Sequence, residues 1–470
     1  MSFDLLATEI LHKILENVRV DTIQPHVAAD IRLERTVALT HINRTLRGAA
    51  LGYHELWSMI YLHWPADAVQ HFLYHARQRT HPDITVLLDT LASGTSNKKQ
   101  KHQRWAKFLR EEMEIIRVLG VRIPVSHGSP ALAAALSDTP APRITTFELD
   151  LDENQTTNAN IRRLFNNNAP ELSSTRIHAC APFHELQNFP SLKELSYRVT
   201  EKNFSGLLKL LRRVPRLTSI SLKGALKWDP SPLPTHNPPL RTVVLPSCTS
   251  LYIRGMNALR TRYILSRIGF PTVSHLDVHE IMAENDNGLL ATIFDTLPRL
   301  PNNPQARDSL SLTIRPNQFM IHFDGYRFQT EWPDSFHTIA NDAGFNLLLS
   351  LLIDAVHAPA NTLLLQPSIL FIENFVDESE ADALSLGLEE LDVLIGEIFG
   401  SYASVRQLSL SGNTAPITRA FRDAYSHLLP TLETLRIEIS ARGNVNDTYD
   451  GPSLAALKQT RHIEVINNLL

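Results

Sequence analysis

Apolar residues near the start of the chain recur at a helical spacing. Leu6, Ile10, Ile14 and Val18 stand four apart, and Leu11 and Leu15 join them. At about 100° per residue this set spreads over roughly half the circumference of a helix at residues 5–18. Two further helices are predicted over residues 31–40 and 42–51, with a loop at 19–30 before them. A three-helix module of about sixty residues has too little interior to hide so wide an arc, so part of it is expected to meet another chain.

Beyond residue 140 the pattern changes to a recurring phrase: proline, any residue, an aliphatic, then apolar residues three and five places on. It reads Pro142-Arg143-Ile144 with Phe147 and Leu149, then Pro190-Ser191-Leu192 with Leu195 and Tyr197. It returns as Pro215-Arg216-Leu217 with Ile220 and Leu222, and as Pro238-Pro239-Leu240 with Val243 and Leu245. Later copies are Pro271-Thr272-Val273 with Leu276 and Val278, and Pro430-Thr431-Leu432 with Leu435 and Ile437. In Pro170-Glu171-Leu172 the middle position is Thr175, before Ile177, while Val405, Leu408 and Leu410 lack the proline. The last two apolar positions alternate, which predicts a short strand with one buried face. The proline ends the helix before it; such helices are predicted at 204–214, 289–297 and 417–429. Each unit is thus helix, stop, strand, recurring about every 20–33 residues, the leucine-rich-repeat period. Two copies carry Cys248 or Asn413 eight residues after the aliphatic, where that repeat places a buried turn residue. Between 280 and 400 the phrase fades, and Leu310 with Leu312, residues 363–365 and residues 369–372 are the strand candidates.

Residues 61–140 are expected to cap the repeat region, with helices at 66–79 and 104–119, a strand at 84–88 and an exposed, flexible loop at 94–101. The predicted domains are therefore 1–62, 63–140 and 141–470. The fold class is α/β: an all-α three-helix module followed by an irregular repeat solenoid.

Composition narrows the function. The 470 residues carry a net charge of −4, so nucleic acid is not the expected partner. No apolar run reaches the length that spans a bilayer, and no basic leader precedes the first helix. Cys180 and Cys248 are too few for a disulfide framework or a zinc site. These features predict an intracellular protein of the cytoplasm, the nucleus or both. Neither a nucleophile elbow, nor a phosphate loop, nor paired metal-ligand spacing is present, so no enzyme activity and no cofactor is expected. His71 and His75 are a helical i, i+4 pair without an obvious third ligand. The cationic run Lys98, Lys99, Lys101, Arg104, Lys107 and Arg110 could serve as a nuclear-import signal or touch phosphate backbones, but reads in the first place as a solvated loop leading into a helix. In the other direction, residues 328–405 contain thirteen acids and no Lys or Arg, so the rest of the chain carries +9. A one-sign face selects partners of opposite charge, which makes Asp377, Glu380, Glu389 and Glu390 candidate contacts for a basic client.

The first sixty residues resemble a known module. Leu6-Ala7-Thr8-Glu9-Ile10 is similar to the opening of the F-box, and residues 42–51 with Leu56-Trp57 resemble its third helix and closing Leu-Trp pair. Ala7 stands where that family has Pro, and Leu46 where it often has Trp. The resemblance covers residues 3–62, and its style is that of the long F-box proteins, with leucine-rich-repeat-like regions, that abound in mushroom-forming fungi. The resemblance implies docking on a Skp-type adaptor and through it on a cullin, with the repeats holding a client for ubiquitin-dependent degradation. It further implies that Leu6, Glu9, Ile10, Ile14 and Leu46 face the adaptor, and that Leu56 and Trp57 anchor the module's core. A repeat scaffold that binds protein without any ubiquitin role fits the same residues.

Overall fold

The computed structural model describes residues 7–22, 28–80, 82–89, 98–123, 129–151, 163–178, 184–224, 242–281, 308–315, 317–332, 342–362, 365–375, 388–421, 427–440, 452, 455 and 462–468. The chain divides into two compact units, Met1–Arg198 and Val199–Leu470. Both are mixed α/β.

In the first unit, α1 (Thr8–Thr22), α2 (Ala29–Ile42) and α3 (Arg44–Gly52) lead through a tight turn at His54–Trp57 into a parallel sheet. Its strands β1 (Met59–Tyr61), β2 (Ile84–Asp89), β3 (Ile116–Ile123), β4 (Thr146–Leu151), β5 (Ser174–His178) and β6 (Glu194–Val199) lie in chain order. Between the first four strands run α4 (Ala66–Arg77), α5 (Lys98–Glu112) and α6 (Pro130–Asp138). The strand–helix alternation thus begins at Met59, well before residue 140. Ile84, Val86 and Leu88 are buried on alternate positions just as Phe147 and Leu149 are, so residues 63–140 carry the same inward pattern without the proline. The helix expected at 104–119 ends at Glu112, and Ile116–Ile123 is strand. Residues 98–101, expected in a loop, are helical, whereas 94–97 lie outside the described residues. Helix also occupies residues 19–22, the start of the expected first loop.

The second unit opens with α7 (Glu201–Arg213), capped by Thr200, whose backbone N–H donates to Asn203 Oδ1 at 2.8 Å. Its main strands are β7 (Ser219–Gly224), β9 (Ser250–Asn257), β11 (His275–Ile281), β12 (Ser309–Arg315), β13 (Gln318–Phe323), β14 (Tyr326–Glu331), β15 (Ile369–Asn374), β16 (Gln407–Gly412), β17 (Thr434–Ser440) and β18 (His462–Asn468). They are ordered β7-β9-β11-β14-β13-β12-β15-β16-β17-β18. All neighbours are parallel except β14–β13 and β13–β12. The helices are α8 (Ala258–Arg267), α9 (Asp342–Thr362), α10 (Leu388–Ser401) and α11 (Ala415–Ala420). The α/β class holds, while the antiparallel β12–β14 meander interrupts the parallel run, so this sheet is not the repeat solenoid expected from the phrase.

The phrase itself has a local cause. In the copies at Pro142, Pro170, Pro190, Pro215 and Pro430 the residue before the proline accepts a backbone hydrogen bond from the aliphatic, as in Ile144 to Ala141 at 3.2 Å, Leu217 to Val214 at 3.3 Å and Leu432 to Leu429 at 3.2 Å. The proline therefore occupies the second position of a β-turn, where its fixed φ is already correct. Ala141, Val214 and Leu429 are themselves buried, so each turn starts and ends on the core. Burying each following pair, such as Ile220 and Leu222, stabilises by about 1.5–3 kcal/mol per side chain.

One copy is out of register with the expectation. Val243 belongs to β8 (Val243–Val244), which pairs only with β10 (Ile268–Gly269). The turn that feeds the sheet is Leu245-Pro246-Ser247-Cys248, with Cys248 donating to Leu245 at 3.3 Å and Leu251 and Ile253 following as the buried pair. Cys248 stands in the aliphatic's place. Its Sγ lies 3.4 Å from the Ser250 carbonyl oxygen, and burial pushes the thiol up to about 11. The backbone-satisfying residue nearer the second candidate is Asn374, fully buried, whose Nδ2 donates to the Asn413 carbonyl at 2.9 Å.

Among the other candidates, Leu310, Leu312 and 369–372 are strand, Leu365 is buried outside any strand, and 289–297 lie outside the described residues. The helix expected at 417–429 is the shorter α11. The meander turns at Asp324-Gly325, both at positive φ (47° and 82°), the conformation that a two-residue hairpin requires. A Cβ on Gly325 would also lie 2.6 Å from the Ser274 carbonyl oxygen. Gly325→Ala is expected to cost about 1–2 kcal/mol or more, seen as a lower urea midpoint with an unchanged slope.

Candidate functional site

The N-terminal module is the region where outward apolar surface concentrates. On α1, Leu11 and Leu15 point into the module at 4% and 0% exposure. Ile14 is half-buried, and Ile10, one turn earlier, is 49% exposed. Ile10, Ile14 and Val18 thus form an edge strip beside the buried seam. Val20 on α1 and Ile31, Val37 and Ile42 on α2 are also exposed. Six of the eleven exposed large hydrophobic residues described fall within the first 74 positions, Tyr74 being the sixth; clustering of this kind marks interaction surface.

The sequence-derived set separates accordingly. Glu9 and Ile10 are exposed and Ile14 half-buried, while Leu6 lies outside the described residues. Leu46 is not at the surface: it is 1% exposed, in the module's own core with Leu15 and Ala50. It sits in the first turn of α3, where the Asn43 side chain accepts from its backbone N–H at 2.7 Å, and that cap fixes the helix so that Leu46 faces inward. Leu56 and Trp57 are buried. Trp57 Nε1 donates to the Ala50 carbonyl at 2.8 Å, and its ring meets Phe72 and His75, each at 4.9 Å between centroids. Ala7 begins α1 by offering its carbonyl to Ile10 and Leu11, at 3.0 and 3.2 Å.

A polar clamp holds α1 against the end of α3. Glu16 accepts two hydrogen bonds from Arg19 and one from Tyr53, all at 2.6 Å. The Arg19 and Tyr53 bonds bring its carboxyl down to about 2, and burial first, then Glu16, brings the Tyr53 phenol up to about 12. A depressed carboxyl stabilises the fold above its unfolded value, near 4.5, and loses that contribution as pH falls toward 2. Glu16→Gln is therefore expected to lower the urea midpoint at pH 7, with a difference that shrinks steadily below about pH 4.5. The Arg32 side chain joins the module to the first strand by bonding Met59 and Tyr61, and Trp64 Nε1 donates to the Ala29 carbonyl at 3.2 Å.

No protein-family model matches this sequence, and no match was found among curated proteins. The reading therefore stands on residues and geometry.

Three chemical candidates give way on geometry. His71 and His75 meet edge to face, 4.6 Å between ring centroids, beside Trp57. Burial, with the His71 charge behind it, lowers the affinity of His75 for a proton. No group of three or more potential metal ligands occurs among the described residues. A cavity of about 160 Å³ between α4 and α5, floored by Leu62, Val69 and Trp105, is well below the roughly 300 Å³ where small-molecule sites begin. Ser401 Oγ lies 2.9 Å from His357 Nδ1, whose Nε2 lies 2.9 Å from Glu397, an outline of a nucleophile relay. Ser401, however, ends α10 and donates to the Glu397 carbonyl at 2.7 Å. A helix C-terminus opposes the negative charge that an acyl-transfer intermediate must develop.

Of the acidic client candidates, Asp377 and Glu380 lie outside the described residues. Glu389 and Glu390 fall at the start of α10. The cationic run from Lys98 to Arg110 lies along α5, and Lys107 pairs with Glu111 at 3.7 Å. No described helix is long and apolar enough to cross a membrane.

Proposed function

We propose that this chain is a substrate-recognition adaptor of the F-box kind, in which the N-terminal module docks on a Skp-type adaptor and, through it, a cullin. The α/β part of the chain that follows it holds a protein client, in the cytoplasm or nucleus. The chain performs no bond chemistry itself; it raises the effective concentration of a client lysine near a ubiquitin-loaded partner. The observation that supports this reading is the outward aliphatic set Ile10, Val20, Ile31, Val37 and Ile42 on two helices whose inner faces are already filled by Leu11, Leu15 and Leu39. That surface has no use inside the module, and its removal from water favours a partner by about 25 cal/mol per Å². Ala7 in place of Pro is compatible, since the residue before α1 contributes its carbonyl rather than its N–H.

Inward-facing Leu46 favours a second reading, a protein-binding scaffold without a ubiquitin role, in which α1–α3 only cover the first strand. Co-purification of the tagged full chain with the Skp-type adaptor of its host separates the two. Retention by the wild type and loss in Ile10→Asp support the ligase reading, and no retention by a folded wild type leaves the scaffold.

A further inference from the structure

The cavity between α4 and α5, too small for a metabolite, has the size of one side chain. Its volume is about 160 Å³, and an apolar cavity of about 150 Å³ takes up a single benzene ring. Leu62, Val69, Trp105 and Phe108 line its floor and are buried. Ala66 and Gln70 on α4, with Arg104 and Lys107 on α5, line its exposed rim. The floor's one polar side-chain group, the Trp105 indole N–H, already donates to the Leu62 carbonyl at 2.6 Å. The Arg104 guanidinium reaches the same carbonyl at 3.5 Å, which keeps it at the cavity mouth. A hydrocarbon ring therefore suits the floor, where a hydroxyl would lose its water without gaining a partner.

The charge around the mouth is positive. Lys107 pairs with Glu111, and Glu112 with Arg77, whereas Arg104 pairs with no carboxylate among the described residues. The two helices that bound the groove carry seven basic residues, Arg77 and the six from Lys98 to Arg110, against three acids, Asp67, Glu111 and Glu112. Asp89, at the end of β2, is taken up by Arg122 at 3.9 Å. We infer that this groove docks an acidic segment of the protein client, one phenylalanine ring entering the cavity and a flanking carboxylate meeting Arg104. The inference rests on the client-binding half of the proposed function and names the chemistry of the client. A buried aromatic anchor beside an arginine is the composition of a binding hot spot, and helices of one net sign select against basic segments.

The test is fluorescence polarisation of the full chain with a labelled peptide, Gly-Glu-Glu-Phe-Glu-Glu-Gly. One comparison peptide has Gly in place of Phe, another has Lys in place of every Glu, and phenylacetate serves as competitor. The acidic phenylalanine peptide is expected to bind saturably and about tenfold or more tightly than either comparison. Ala66→Leu, which extends a side chain over the mouth, weakens it about tenfold. Arg104→Glu does the same and shifts preference toward the lysine peptide. Both positions are exposed, so the two variants keep the urea midpoint of the wild type. Lys209→Glu, an equal charge change at an exposed position of α7, leaves binding unchanged. No binding, equal binding of the three peptides, indifference to both groove substitutions, or an equal loss in Lys209→Glu overturns the inference. Phenylacetate that binds as tightly as the peptide overturns it in favour of a small aromatic acid. Adaptor retention measured on the same preparations keeps the two proposals apart: Ile10→Asp removes the adaptor but not the peptide, and Ala66→Leu the reverse.

Discussion

Replacing Trp57 by Ala is expected to unfold the N-terminal module at temperatures where the wild type is intact. The side chain is fully buried, donates to Ala50 and packs against Phe72 and His75. Truncation forfeits its transfer free energy, leaves a cavity and strands a carbonyl on α3, together about 3–5 kcal/mol. Against a domain stability of roughly 5–15 kcal/mol that loss is large. Urea unfolding followed by far-UV circular dichroism reads it. Trp57→Phe, which keeps most of the ring contact, should cost far less, and equal losses in the two variants would remove the packing argument.

The second large effect is on binding. Ile10 is half-exposed in the free chain, so Ile10→Asp should change folding stability by no more than about 0.5 kcal/mol. At an adaptor interface the same carboxylate would be desolvated without a partner, costing several kcal/mol, or about a hundredfold or more in affinity. Leu46→Asp provides the contrast. Because Leu46 is 1% exposed, that variant should lose its fold and its partner together, whereas Ile10→Asp loses the partner alone. A Leu46→Asp protein that folds normally would contradict its inward placement.

The proline phrase was legible because a β-turn needs proline's φ at one position and the core needs apolar residues at fixed distances from it. That logic located β4, β6, β7, β11 and β17. It slipped by eight residues at Pro238 because Cys248 fills an aliphatic position, and a cysteine behaves there as a small hydrophobe. The meander was also encoded: Asp324-Gly325 between alternating runs is a strong hairpin signal, but it carries no proline phrase. Residues 116–119 read as helix because their apolar run continues that of α5, and run length alone does not separate a buried strand from a helix. At the candidate site the helical spacing found the apolar arc, yet periodicity could not say which edge of it faces outward. Ile10 and Leu46 were therefore assigned the same role, and only the packing of α1 against α3 distinguishes them.

The adaptor reading is tested most directly by titrating the purified Skp-type adaptor of the host into the full-length chain in a calorimeter, with Ile10→Asp in parallel. The account predicts saturable one-to-one binding by the wild type, and binding about a hundredfold weaker or absent in a variant whose unfolding curve is unchanged. No heat of binding with the folded wild type, or equal affinity in the two proteins, would contradict it.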